Sequence, residues 1–179
     1  MAIYKPALDA AGWRDNAGDL YFQASKFLIE RISWACRDTH LKLPAQPDQL
    51  TRIVFSERGG LRYDRFQAYM RRLQADPAAY HSNAAWEFLD PALIVSEPHD
   101  DKNACHLAAD YLASSIGQAF EIRDQGVFDD RFARLWAGRF YQANGRRVSN
   151  GFKVWPDEGL TLLRTDPRGH WMKTSFGWH

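Results

Sequence analysis

Arg52-Ile53-Val54-Phe55-Ser56-Glu57 and Ala92-Leu93-Ile94-Val95-Ser96-Glu97 carry one pattern twice: a short apolar, β-branched run that ends in Ser-Glu. Such runs read as buried strands, the first stopped by Gly59-Gly60 and the second bounded by Pro91 and Pro98. Between them Phe66, Tyr69, Met70 and Leu73 recur at helical spacing, and Asp76-Pro77 closes that helix. Strand, helix and strand in succession argue for an α/β or α+β fold, a small sheet with helices packed on it. In an open parallel sheet, ligands collect beyond the carboxyl ends of the strands. Parallel neighbours here would carry Glu57 and Glu97 to one edge, within reach of one cation. The competing reading makes each Glu the first solvated residue after a buried strand.

Outward from this centre, residues 1–18 read as an irregular arm. A helix then starts at Asp19, with Leu20, Ala24, Phe27, Leu28, Ile32 and Ala35 repeating at three and four residues, and a loop with Pro44 and Pro47 follows it. Beyond the second strand, residues 104–121 form the clearest helix, with Leu107, Ala108, Tyr111, Leu112, Ser115 and Ala119 on one face. Asp101 or Asn103 is its natural N-cap. Another helix is expected from Asp129 to Ala143, burying Phe132, Leu135, Trp136 and Phe140, with Asn144-Gly145 at its end. Leu160–Thr165 and His170–Phe176 flank Asp166-Pro167-Arg168-Gly169, which reads as the turn of a C-terminal β-hairpin. The expected organisation is one domain over 1–179: the arm 1–18, an α/β core 19–156 and a hairpin extension 157–179.

With 45% hydrophobic and 25% charged residues, the chain has the apolar content to build a core and is not globally disordered. A net charge of +1 excludes a uniformly basic nucleic-acid coat. From Arg131 onward, however, Arg131, Arg134, Arg139, Arg146, Arg147, Lys153, Arg164, Arg168 and Lys173 face only Asp157, Glu158 and Asp166, a local excess suited to a polyanion. Two cysteines make no disulfide framework, and no apolar run approaches the ~20 residues that span a bilayer. Without a charged-then-apolar leader, a cytoplasmic protein with reduced thiols is expected.

Asp110 follows His106 by one turn and flanks the apolar face of its helix, where a carboxylate needs a metal or an arginine as partner. Arg58, Arg62, Arg65, Arg71 and Arg72 cluster near Glu57, as phosphate-holding groups do beside a metal-bound scissile group. A solvated helix face explains the same arginines. His99, in the loop after the second strand, is a candidate base or ligand, although a lone loop histidine usually serves as neither. Zinc fits poorly: Cys36 and His40 are spaced i, i+4, but adjacent Cys105 and His106 diverge by ~100° on a helix.

Ser96, the segment Leu107-Ala108-Ala109-Asp110-Tyr111-Leu112-Ala113 and the late Gly151-Phe152-Lys153-Val154-Trp155-Pro156 together resemble a widespread uncharacterised bacterial and phage family of RNase-H-like fold. Arg52–Arg72, a strand ending in an acid before a Tyr-containing helix, also looks like that family's middle, so the likeness spans roughly residues 50–156. It implies a Mg²⁺- or Mn²⁺-dependent nuclease. By that likeness Asp110 and Glu57 would be the metal ligands; the reading of the residues themselves adds Glu97 as a catalytic carboxylate helping them, and Arg58, Arg62, His106 and Lys153 as substrate-binding groups. The family opens with a strand running into Asp-Glu-Ser-Gly, and nothing from Met1 to Gln49 matches it. The resemblance therefore also admits a degenerate member, or a site completed by a second protein chain. The alternative from another class is a non-catalytic binding or regulatory subunit. It would grip a protein or nucleic acid through the basic, aromatic C-terminal third, including Trp171 and Trp178.

Overall fold

In the computed structural model of the chain, the described residues are 2–3, 8, 19–40, 50–57, 62–100, 102–122 and 126–178. Arg58, Gly59-Gly60, Asp101, the proline loop, nearly all of the arm, and the side chains of Asp19 and His40 lie outside them. The fold is mixed helix and strand. Its elements are β1 (Ala2–Ile3), α1 (Asp19–His40), β2 (Thr51–Ser56), α2 (Tyr63–Ala75), β3 (Leu89–Glu97), α3 (Ala104–Phe120), α4 (Arg131–Trp136), β4 (Val154–Trp155), α5 (Asp157–Leu163) and α6 (His170–Phe176). They fall into two compact units, Asp15–His99 and Met1–Arg14 with Asp100–His179.

In the unit Asp15–His99, β2 and β3 pair in parallel, with Ile53 opposite Ile94, Phe55 opposite Ser96 and Ser56 opposite Glu97. Parallel pairing needs a crossover, and α2 supplies it. From Thr51 to Ile53, β2 advances two positions while β3 advances five, from Leu89 to Ile94. Pro91 sits inside this bulge, where a residue without an N–H costs the ladder nothing. Ile53 and Ile94 point into a core with Ile29, Phe66, Met70, Leu73 and Leu89. Phe55 packs edge-on against Phe66 at a centroid distance of 5.0 Å, which anchors the end of β2.

The stretch after α2 fits neither a helix nor a strand pattern because side chains of α1 hold its backbone. Buried Ser33 accepts a hydrogen bond from the Ala85 N–H at 2.9 Å, and Glu30 accepts from the Asn83 N–H at 3.1 Å. Trp34 donates to the Asn83 carbonyl at 2.7 Å. Buried polar groups of α1 thus satisfy a loop that has no ladder of its own. Leu28, expected on the core face, is instead exposed.

The unit Met1–Arg14 with Asp100–His179 pairs β1 with β4 in parallel, Ala2 opposite Val154 and Ile3 opposite Trp155. Its core joins Ile116 and Ala119 of α3, Ala133 of α4, Ala137, Phe152, Val154, Leu163, Trp171, Met172 and Phe176. Phe152 is its centre, within 5.5–6.1 Å of the Phe120, Phe140, Trp171 and Phe176 ring centroids.

Three expectations need correction here. The C-terminal hairpin is a pair of helices, α5 and α6, joined by a 3-10 turn at Pro167–Gly169. Asp157 and Glu158 open α5 just after Pro156, an acidic first turn that suits the positive end of a helix. Gly159 and Leu163 then lie four residues apart on its buried side, while Trp171, Met172 and Phe176 give α6 a helical stripe rather than alternation. Trp171 is wholly buried and so is a core residue, not a partner-gripping one. The helix expected over 129–143 is only the six-residue α4 followed by a 3-10 turn. Its small residues Ala133 and Ala137 face the core, and Phe132 and Leu135 are 48% and 76% exposed.

Candidate functional site

β2 and β3 are parallel neighbours that end together, so both Ser-Glu pairs stand at one sheet edge. Side chains alternate between the faces of a strand, and register carries that alternation across the pair. Ser56 and Glu97 are directly opposite and share a face with Arg52, whose guanidinium forms an ion pair with Glu97. Glu57 goes the other way, where the Ser96 hydroxyl lies 3.5 Å from its Oε1. The edge therefore brings both carboxylates together in the chain's topology but hands them different partners.

Sequence reasoning missed one side-chain contact at this edge. Ser56 Oγ lies 3.0 Å from His99 Nδ1, in the loop after β3. The Tyr63 hydroxyl, at the start of α2, donates to the Ser56 carbonyl at 3.0 Å, and the Glu57 N–H donates to the Glu97 carbonyl at 2.9 Å. Backbone pairing and the Tyr63 bond thus fix the strand end from two sides. The signal was present in the sequence: His99 is two residues beyond Glu97, the register partner of Ser56, with Pro98 between them.

Asp110 belongs to the other unit, on the exposed side of α3, opposite the stripe of Leu112, Ser115, Ile116 and Ala119. His106 is buried, and its Nδ1 accepts the Asp100 N–H at 3.2 Å, so the ring orders the entry to α3. Asn103 is the N-cap, accepting from the Cys105 N–H at 2.9 Å. Arg62 is committed to Asp64 through bonds of 2.9 and 2.6 Å, and Lys153 forms an ion pair with Asp157.

For Mg²⁺ or Mn²⁺, the donors at the edge are of the right hard type: the Glu57 carboxylate and the Ser96 hydroxyl beside it. Mg²⁺ is commonly held by one or two carboxylates together with substrate phosphates, so this set fits a cation that arrives with its substrate. Among the described residues no three His, Cys, Asp or Glu side chains form a ready-made cage. No helix among them is long and apolar enough to cross a membrane.

A second feature lies on α3 and α4. Tyr111, Ser115, Phe132, Leu135, Trp136 and Arg139 line a shallow cavity of about 340 Å³. Tyr111 is 66% exposed there, beside the exposed Phe132 and Leu135. Comparison with known proteins gives no match to a family model, a curated protein or a solved structure.

Proposed function

We propose that the carboxyl edge of β2 and β3 is the reactive edge of a nucleic-acid-processing protein that hydrolyses phosphodiesters with Mg²⁺ or Mn²⁺. The observation that carries the proposal is the parallel register, which gathers Ser56, Glu57, Ser96, Glu97 and His99 at two neighbouring strand ends. Parallel sheets bind ligands there. Glu57 would hold the cation and Ser96 would orient its carboxylate. A bound divalent ion supplies charge neutralisation at the scissile phosphate. Arg52 keeps Glu97 from adding a second uncompensated negative charge to an edge meant for a polyanion. The RNase-H-like reading of the fold, and with it the role of Asp110, rests on the resemblance over residues 50–156.

The test is cleavage of single- and double-stranded DNA and RNA with Mg²⁺ and with Mn²⁺. Glu57→Gln is expected to lower cleavage at least ~10-fold, the loss of a group that acts on the transition state. Asp110→Ala tests the residue assigned by resemblance. Wild-type protein inert on all four substrates, or Glu57→Gln cleaving at the wild-type rate, would remove the proposal.

A second reading is favoured by the α3–α4 face. A helix that buries alanines and exposes Phe132 and Leu135 is arranged for contact with something else. On this reading the chain is a binding or regulatory subunit, and an amphipathic segment of a protein partner lies in the cavity with an acidic group toward Arg139.

A further inference from the structure

We infer that Ser56 is a nucleophile activated by His99, so that this edge cleaves its ester in two steps through a covalent serine intermediate. The phosphodiester as substrate rests on the function proposed above; the nucleophile–base pair rests on geometry alone. Ser56 Oγ and His99 Nδ1 are 3.0 Å apart, the separation at which an imidazole takes a hydroxyl proton. The serine is the last residue of β2, so its backbone is set by the ladder to β3 and by the Tyr63 hydroxyl on its carbonyl. Phe55, packed on Phe66, fixes the preceding residue. Ser56 therefore projects from a rigid strand end, while His99 is exposed and reachable by substrate. Ser96 provides the contrast. It ends the neighbouring strand in the same pattern but meets the Glu57 carboxylate rather than an imidazole.

In the first step Ser56 Oγ attacks phosphorus, and its proton passes to His99 Nδ1 as the Oγ–P bond forms. The bond from phosphorus to the leaving nucleoside oxygen breaks, and that oxygen takes the proton from the imidazolium. In the second step water gives a proton to His99 as its oxygen bonds to phosphorus. The Oγ–P bond breaks and Ser56 recovers its proton. The sum is one water added across one phosphodiester, with no oxidant or reductant. With the proton of the neutral ring on Nε2, Nδ1 is the accepting atom.

A fluorophosphonate probe tests the pair directly, because serine displaces fluoride from its phosphorus whether or not the protein cuts nucleic acid. The full-length protein is expected to gain one adduct, mapped to Ser56 by peptide mass spectrometry. Ser56→Ala is expected to lose that adduct. His99→Gln is expected to label on the order of 100-fold more slowly, the usual contribution of a general base. Absence of an adduct on Ser56 in the wild-type protein overturns the inference without relying on any variant's fold, and labelling of His99→Gln at the wild-type rate overturns it as well. Specific labelling of Ser56 in a protein inert on DNA and RNA would support the pair and remove the nuclease reading. Nucleic-acid cleavage by Ser56→Ala at the wild-type rate would remove the covalent route and leave the nuclease reading standing.

Discussion

Arg62 and Asp64 meet in a two-bond contact at the start of α2, between exposed side chains. The Arg62 guanidinium hydrogen-bonds the Asp64 carboxylate and holds its pKa below the ordinary 3.8, while the same bond raises the pKa of Arg62. An acid in the first turn also suits the positive end of the helix. A carboxyl whose folded pKa lies below its unfolded one stabilises the fold fully above the unfolded value. That contribution fades as pH falls through the folded pKa. A carboxyl-detected NMR titration should therefore place the Asp64 midpoint below 3.8, and Arg62→Ala should return it toward that value. An unchanged midpoint in the variant would show that the contact does not persist in solution. The cluster of arginines around Glu57 suggests a substrate ligand at Arg62. Its pairing within two residues was equally legible, since Asp64 is beside it in the sequence. Sequence spacing alone did not rank the two uses of one cation.

At the scale of elements, legibility followed the period of burial. β2, α2 and the end of β3 were readable because Ile53, Phe66, Met70, Leu73 and Ile94 are all buried at the expected spacing. α4 misled because its large residues, Phe132 and Leu135, are on the outside while Ala133, and Ala137 just after it, are inside. The hairpin misled because Asp166-Pro167-Arg168-Gly169 is a true turn, with Asp166 accepting the Arg168 N–H at 2.8 Å, but the flanking segments are helices. Glycine shows the same division between pattern and packing. A Cβ on Gly151 would lie 2.1 Å from the Tyr141 carbonyl oxygen, a backbone atom that cannot swing aside. A Cβ on Gly117, inside α3, meets nothing within 4 Å. Gly151→Ala should therefore destabilise the protein by about 3 kcal/mol, at the upper end of overpacking costs. Gly117→Ala should stabilise it by about 0.5–1 kcal/mol through helix propensity. Chemical denaturation of both variants checks the pair, and equal midpoints would contradict the packing described around Tyr141.

At the scale of the whole chain, charge is where sequence counting and structure part. The excess of basic residues after Arg131 suggested a continuous polyanion surface, yet the structure commits Arg131 to Asp129, Arg134 to Asp130, Lys153 to Asp157 and Arg168 to Asp166. Each of those cations already has a carboxylate, so a phosphate gains less from meeting it and releases fewer counterions. Arg139 and Arg146 are exposed and form no such pair with a described carboxylate, which makes them the better phosphate contacts of this unit. Affinity for a single-stranded oligonucleotide measured across a salt series separates the two classes. Each phosphate contact contributes a slope of about −0.7 in log K against log salt for single strands. Arg146→Ala and Arg139→Ala should each flatten the slope by roughly that amount, and the double variant by their sum. Arg131→Ala should leave the slope nearly unchanged, because its charge is offset by Asp129 before the ligand arrives. Equal losses from Arg131→Ala and Arg146→Ala would mean that the local ion pairs open for the ligand, and that the basic excess counted from the sequence is the better guide to binding. A salt-independent affinity would take nucleic acid out of the function altogether and leave the apolar face of α3 and α4 as the surface to pursue.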